Sequence, residues 1–188
     1  IPLGQFRDTF IIAVDSEGVA IIDQHVAHER VLFEQVMERL TSGQLESQRL
    51  LEPMLVNLSA SQRQALEMHA KELQQLGFDF EEFGGDCLRV GAVPAILRHH
   101  ENATTLRALA EDLEGLRKSS PVENALRRMA ATTACHAAVK ANDRLTFEKM
   151  THILTELRRT SYSTICPHGR PVVLRLTRKE IEKSFQRI

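Results

Sequence analysis

The sequence has no apolar run approaching the ~18 residues needed to cross a bilayer and no charged leader ahead of one, so no segment is expected to span a membrane. It has only three cysteines, Cys87, Cys135 and Cys166. They are too few for the dense, even set of a secreted scaffold, which points to a reducing cytosol. It also lacks an excess of positive charge: 24 Lys and Arg stand against 25 Asp and Glu, a net charge of −1. No overall basic field would grip nucleic acid by counterion release, so any DNA contact must be local, weak or assisted. There is no internal repeat, no low-complexity stretch and no initiating methionine. The opening at Ile1 is expected of a piece of a longer protein. What is present is ordinary globular composition, 43% hydrophobic and 26% charged over 188 residues. That length suits one large domain or two small interlocked ones with a real core.

Along the chain, Phe6–Val14 reads as a strand, Asp15–Gly18 as a turn, and Val19–Asp23 as a return strand whose nearly all-apolar sequence predicts burial on both faces. From Val26 to Leu40 the apolar spacing turns helical, and 41–48 reads as a loop. Ser59 with Gln62 forms a capping-box pattern opening a helix to Leu76, with Gly77 as its stop. A second hairpin is expected over Phe78–Phe83 and Cys87–Val93, ended by Pro94, with Cys87 in the core. Thr104–Leu116 reads as a helix. Ser120-Pro-Val-Glu123 opens another, running to Ala141 with Cys135, His136 and Lys140, and Phe147–Arg159 a further one. A loop then leads through Cys166-Pro-His-Gly-Arg-Pro171 into the strand Val172–Leu176 and a short terminal helix. The fold class is α+β. The middle block, 53–118, has its own helices and hairpin and reads as an inserted lobe between 1–52 and 119–188.

Two His and three acidic residues crowd into 23–34, directly after an apolar strand: Asp23, His25, His28, Glu29 and Glu34. A helix starting near residue 25 sets His25 and Glu29 one turn apart on one face, within reach of one ion, with Asp23 at the strand end beside them. The plainer alternative, acidic residues stabilising a helix N-terminus, covers Asp23 and Glu29 but not the two His. Cys166 and His168, two apart across a proline, suit zinc, though a buried Cys and a hydrogen-bonded His would look the same. Cys135 on its helix can equally be a small core residue. Together His25, Glu29, Cys135, Cys166 and His168 suffice for one closed zinc site, or for two ions sharing a carboxylate, an arrangement suited to phosphodiester hydrolysis. An open position lined by Asp23, His25 and Glu29 would accept a harder ion, Mn²⁺ or Mg²⁺. Arg170 beside these ligands can hold a phosphate oxygen or form a salt bridge.

The run Asp23-Gln24-His25-Val26-x-x-Glu29-x-x-x-x-Glu34 resembles the Asp-Gln-His-Ala-x-x-Glu-x-x-x-x-Glu endonuclease motif of the MutL family of DNA mismatch-repair proteins, with Val26 in place of Ala. Ala134-Cys135-His136-Ala-Ala-Val-Lys140 and Cys166-Pro-His-Gly-Arg-Pro171 are similar to that family's further C-terminal motifs, in order. The likeness runs from Gly4-Gln5-Phe6 to the terminal Ile188. It implies a dimerisation and nicking domain in which both chain ends form the dimerising, metal-holding lobe and 53–118 an external regulatory one. His25, Glu29, Cys135, Cys166 and His168 would hold metal, and Asp23, His25 and Glu29 would serve strand cleavage. The implied cofactors are a regulatory or structural Zn²⁺ and catalytic Mn²⁺ or Mg²⁺, with ATP used only by the N-terminal part of a full-length protein. Gln48, Leu50, Leu51 and Pro53 resemble the segment with which such proteins bind the bacterial sliding clamp, although a loop-to-strand junction with core leucines would read alike. The implied partners are a second copy, duplex DNA held weakly, the clamp, and a mismatch-recognition protein through the full-length chain, in a nucleoid-associated cytoplasmic setting. A docking module with purely structural zinc is the alternative function. A zinc hydrolase of small substrates is disfavoured, because Glu does not directly follow the first His.

Overall fold

A computed structural model describes residues 1–116, 122–160 and 171–187. The chain forms two compact units, Ile1–Leu32 with Ala138–Ile188, and Phe33–Ala137. Both contain helices and antiparallel sheet, so the α+β class holds.

The first unit carries a four-stranded sheet of β1 (Pro2–Phe6), β2 (Phe10–Val14), β3 (Gly18–Asp23) and β7 (Val173–Thr177), in that spatial order and antiparallel throughout. The strand expected over Phe6–Val14 is in fact broken by a tight turn. Arg7 and Asp8 take left-handed φ values of 53° and 47°, and Phe6 pairs with Phe10 across it. Thr9 stabilises the turn by donating its hydroxyl to the Arg7 carbonyl. Burial along β2 and β3 alternates rather than covering both faces. Ile11, Ala13, Ala20 and Ile22 are buried, while Ile12 and Ile21 are half-buried. The buried face packs with Val26, Ala27 and Val31 of α1 (Gln24–Ser42) and Met150, Ile153 and Leu157 of α6 (Phe147–Arg159). Gly18 permits β7 to close on β3, since a Cβ there would fall 2.1 Å from the Leu176 carbonyl. A short helix, α7 (Arg178–Ser184), follows β7 behind a Thr177–Glu180 capping box.

The second unit pairs β4 (Ser47–Asn57), β6 (Cys87–Pro94) and β5 (Asp79–Glu82) in the order β4-β6-β5. The capping box at Ser59 forms as read, but the helix it opens breaks at His69 into α2 (Ala60–Met68) and α3 (Ala70–Gln75). Gly77 ends it with φ +98°. The 41–48 loop is shorter than expected, because β4 begins at Ser47. Cys87 opens β6 and is half-buried rather than core. Leu66, Leu73, Phe78, Leu88, Leu106 and Met129 are among the residues filling this unit's core, against α4 (Asn102–Glu114) and α5 (Val122–Ala137). Helix α5 stops at Ala137, not Ala141. Its expected cap, Ser120-Pro121, lies outside the described residues.

Candidate metal centre

The buried hairpin delivers the chain into α1 at Asp23, and the first turn of that helix is closed by its own motif. Asp23 Oδ1 accepts from the Val26 backbone N–H at 3.0 Å, the geometry of an N-cap. The Gln24 N–H, a donor without an intrahelical partner, goes to the Thr9 carbonyl at 3.1 Å. Asp23 is therefore not a spare carboxylate. One of its oxygens holds the helix, a use that a purely structural zinc site would share.

His25 and Glu29 lie one turn apart on one face, as their spacing required. Glu29 is completely buried, and its Oε2 stands 3.6 Å from His25 Nε2. On its other side His25 Nδ1 lies 2.8 Å from the Val139 carbonyl oxygen. A carbonyl only accepts, so Nδ1 carries a hydrogen, and in the neutral ring Nε2 presents its lone pair on the side of the carboxylate. Two ligands about 2.1 Å from one tetrahedral ion are separated by about 3.4 Å. The observed 3.6 Å thus fits a shared divalent cation, and an imidazole anchored through its far nitrogen to a carbonyl is the arrangement that metal-binding histidines adopt.

The second nearby imidazole faces the opposite way. The Val139 N–H donates to His28 Nδ1 at 3.0 Å, so the neutral His28 ring carries its proton on Nε2. Val139 is held in turn by a knot of amides. Gln24, with no exposed surface, points its Nε2 at the carbonyls of Asp8, Lys140 and Asp143 at 2.8, 2.7 and 3.0 Å. Its Oε1 accepts from Gln5 Nε2 at 2.5 Å. Gln5 also donates to the Asp143 carbonyl and accepts from the Leu145 N–H. Sequence reasoning assigned neither glutamine a role. The signal available was an amide placed directly after an apolar strand, where an unpaired polar group would be costly.

In the second unit, Cys135 sits half-buried on the last turn of α5. His136 beside it places Nδ1 3.0 Å from Glu101 Oε2. Glu34 is half-buried on α1. Cys166, His168 and Arg170 lie outside the described residues.

Gln48 and Arg49 pair with Val93 and Ala92, and the ladder resumes only at Met54, opposite Val90. Leu50–Pro53 therefore leave the ladder, and Leu51 is fully exposed at 101%. The reading that both leucines are core is wrong for Leu51.

Residues 3–145 match the profile of the family described as the MutL C terminal dimerisation domain. The chain belongs to that family. It is 46% identical over its whole length to the DNA mismatch repair protein MutL of Koribacter versatilis, and 44% identical to that of Acidobacterium capsulatum. It covers 29% and 28% of those two MutL proteins, so it spans less than a third of each. Among the described residues no helix is long and apolar enough to cross a membrane.

Proposed function

We propose that this MutL-family chain is a metal-dependent endonuclease domain that nicks one strand of duplex DNA in mismatch repair, and that it also dimerises and docks on the sliding clamp. The observation that carries the proposal is the pairing of a buried carboxylate, Glu29, with an imidazole whose Nε2 faces it while Nδ1 is anchored on the Val139 carbonyl. His25 and Glu29 would hold the ion, with Cys135, Cys166 and His168 completing a zinc position and Asp23 serving an open position for Mn²⁺ or Mg²⁺.

When bound, a divalent ion supplies Lewis-acid polarisation of the phosphodiester and a water of lowered pKa. The chain's own part is to fix the donors. The Val139 carbonyl sets the His25 ring, burial keeps bulk water from the Glu29 carboxylate, and Asp23 closes the helix that carries both. The exposed Leu51 bulge supports clamp docking, because an apolar side chain projecting from an interrupted strand is shaped to enter a groove. The net charge of −1 supports weak DNA binding by the domain alone, the grip coming from partners or from the rest of the longer protein, ATP-binding part included.

The second reading, a dimerisation and docking module with structural zinc, is favoured by the capping role of Asp23. Asp23→Asn separates the two. Asn caps a helix as well as Asp, so the fold should stand. Nicking of supercoiled plasmid in Mn²⁺, with the clamp present, should be abolished if Asp23 serves cleavage. Undiminished nicking by Asp23→Asn would reduce Asp23 to a cap. No nicking by the wild-type chain at high concentration would leave the docking module.

A further inference from the structure

The backbone of Val139 is read from both sides: its carbonyl accepts from His25 Nδ1 at 2.8 Å and its N–H donates to His28 Nδ1 at 3.0 Å. From this we infer that His28 is a positioning residue for the metal ligand His25, acting through the Val139 peptide to fix the His25 ring and its tautomer. The proposal rests on the metal-site reading for its consequence, though not for its geometry.

The two rings stand one turn apart on α1, His28 with only 8% of its surface exposed. Their hydrogen bonds have opposite sense. His25 must give a proton to the residue and His28 must take one from it, so the pair defines where that backbone sits relative to the helix and leaves no second arrangement of equal quality. Were His28 unable to accept, the Val139 N–H would be left buried without this partner, and the backbone would be driven to turn toward another acceptor. Its carbonyl would move off His25 Nδ1. The His25 proton would then be free to occupy either nitrogen, and a fraction of the rings would present N–H, not a lone pair, to Glu29. Ligand orientation through such an outer hydrogen bond is worth about 10- to 100-fold in metal affinity.

An isosteric pair of variants isolates the hydrogen bond. Asn at this position keeps an acceptor near the place of Nδ1, whereas Leu has the same branched shape and no acceptor. The measurements are the ¹⁵N-imidazole spectrum of the metal-free chain at about pH 8, where ordinary imidazoles are neutral, and Zn²⁺ affinity by chelator competition. Wild type should show the Nδ1–H form of His25 and the Nε2–H form of His28. His28→Leu should give mixed His25 tautomers and about 10- to 100-fold weaker Zn²⁺ binding, and His28→Asn should restore both.

The inference is overturned if His28→Leu leaves the His25 tautomer and the affinity at wild-type values, or if His28→Asn is as impaired as His28→Leu. Should His28→Leu not fold, the wild-type spectrum still decides, since the opposite tautomer on either ring contradicts the geometry. If the His25 tautomer follows His28 but wild type binds no Zn²⁺, the positioning holds and the metal-site reading is what fails.

Discussion

Replacing Gln24 tests whether the amide knot, rather than the surrounding apolar packing, holds 140–145 against the first hairpin. The side chain is wholly buried. Its NH₂ has two hydrogens for three carbonyls, and its oxygen takes one bond from Gln5. Each carbonyl keeps another donor when Gln24 is lost: Asn142 N–H on Asp8, Asp143 N–H on Lys140, and Gln5 Nε2 on Asp143. The loss in Gln24→Leu is then about three net hydrogen bonds with little change of volume, about 3 kcal/mol at roughly 1 kcal/mol each. Gln24→Glu should cost more, about 3–5 kcal/mol, because an ionised carboxylate would be buried against three carbonyl oxygens with no donor of its own. Its deficit should shrink on acidification. The carboxyl's pKa is raised in the folded state, so the native form takes up the proton first and regains a donor. With no tryptophan and a single tyrosine, far-UV circular dichroism in urea is the global probe. Amide exchange at Asn142 and Leu145 is the local one, and 3 kcal/mol should appear there as acceleration of about 10²-fold. If both variants stay within about 0.5 kcal/mol of wild type and exchange in this segment is unchanged, the knot is not what holds it.

Two further outcomes follow from single side chains. Leu51→Asp should leave thermal stability within about 0.5 kcal/mol of wild type, since Leu51 is fully exposed, yet reduce capture on immobilised bacterial sliding clamp at least about tenfold, the ~1.4 kcal/mol or more expected of a groove anchor; undiminished capture would remove Leu51 from the docking surface. The Arg175 guanidinium, 2.7 Å from Asp15, holds that carboxyl below its ordinary 3.8, aided by the Glu17 backbone N–H. A depressed folded pKa contributes stability above the unfolded value and loses it as pH falls through the folded one. Asp15→Asn should therefore melt lower than wild type at neutral pH, with the gap closing under acid. A gap that widens in acid would refute the pairing.

The parts of the fold legible in the sequence were those set by local chemistry. The Ser59–Gln62 capping box, the glycine stop at Gly77 and helix α6 at Phe147–Arg159 all appear where residue types and spacing put them. What failed depended on partners elsewhere in the chain. Arg7-Asp8 lacks the glycine or asparagine that usually marks a left-handed turn, and its conformation is imposed by the pairing of Phe6 with Phe10. The apolar run Val19–Asp23 suggested two buried faces, but β3 has a helix-packed face and a more open one, and composition alone cannot tell which. Likewise Leu50-Leu51 looks identical in core and in a bulge. Only the register slip between Arg49 and Met54 puts Leu51 in solvent.

The candidate site divides along the same line. Helical periodicity alone brings His25 and Glu29 to one face, because 3.6 residues per turn fixes that outcome for any α1 beginning at Gln24. Which His nitrogen carries the lone pair is another matter. It depends on Val139, a residue whose side chain gives no hint and whose contribution is its backbone. That backbone is positioned by Gln24 and Gln5, amides easily passed over beside more reactive neighbours. Asp23 shows the converse: its type and place announced chemistry, and the structure gives it a structural use that any helix start would welcome. A ligand can thus be read from residue type and spacing, but its protonation state belongs to the backbone it meets. The decisive measurement at this site is therefore the tautomer of His25, ahead of the identity of the ion.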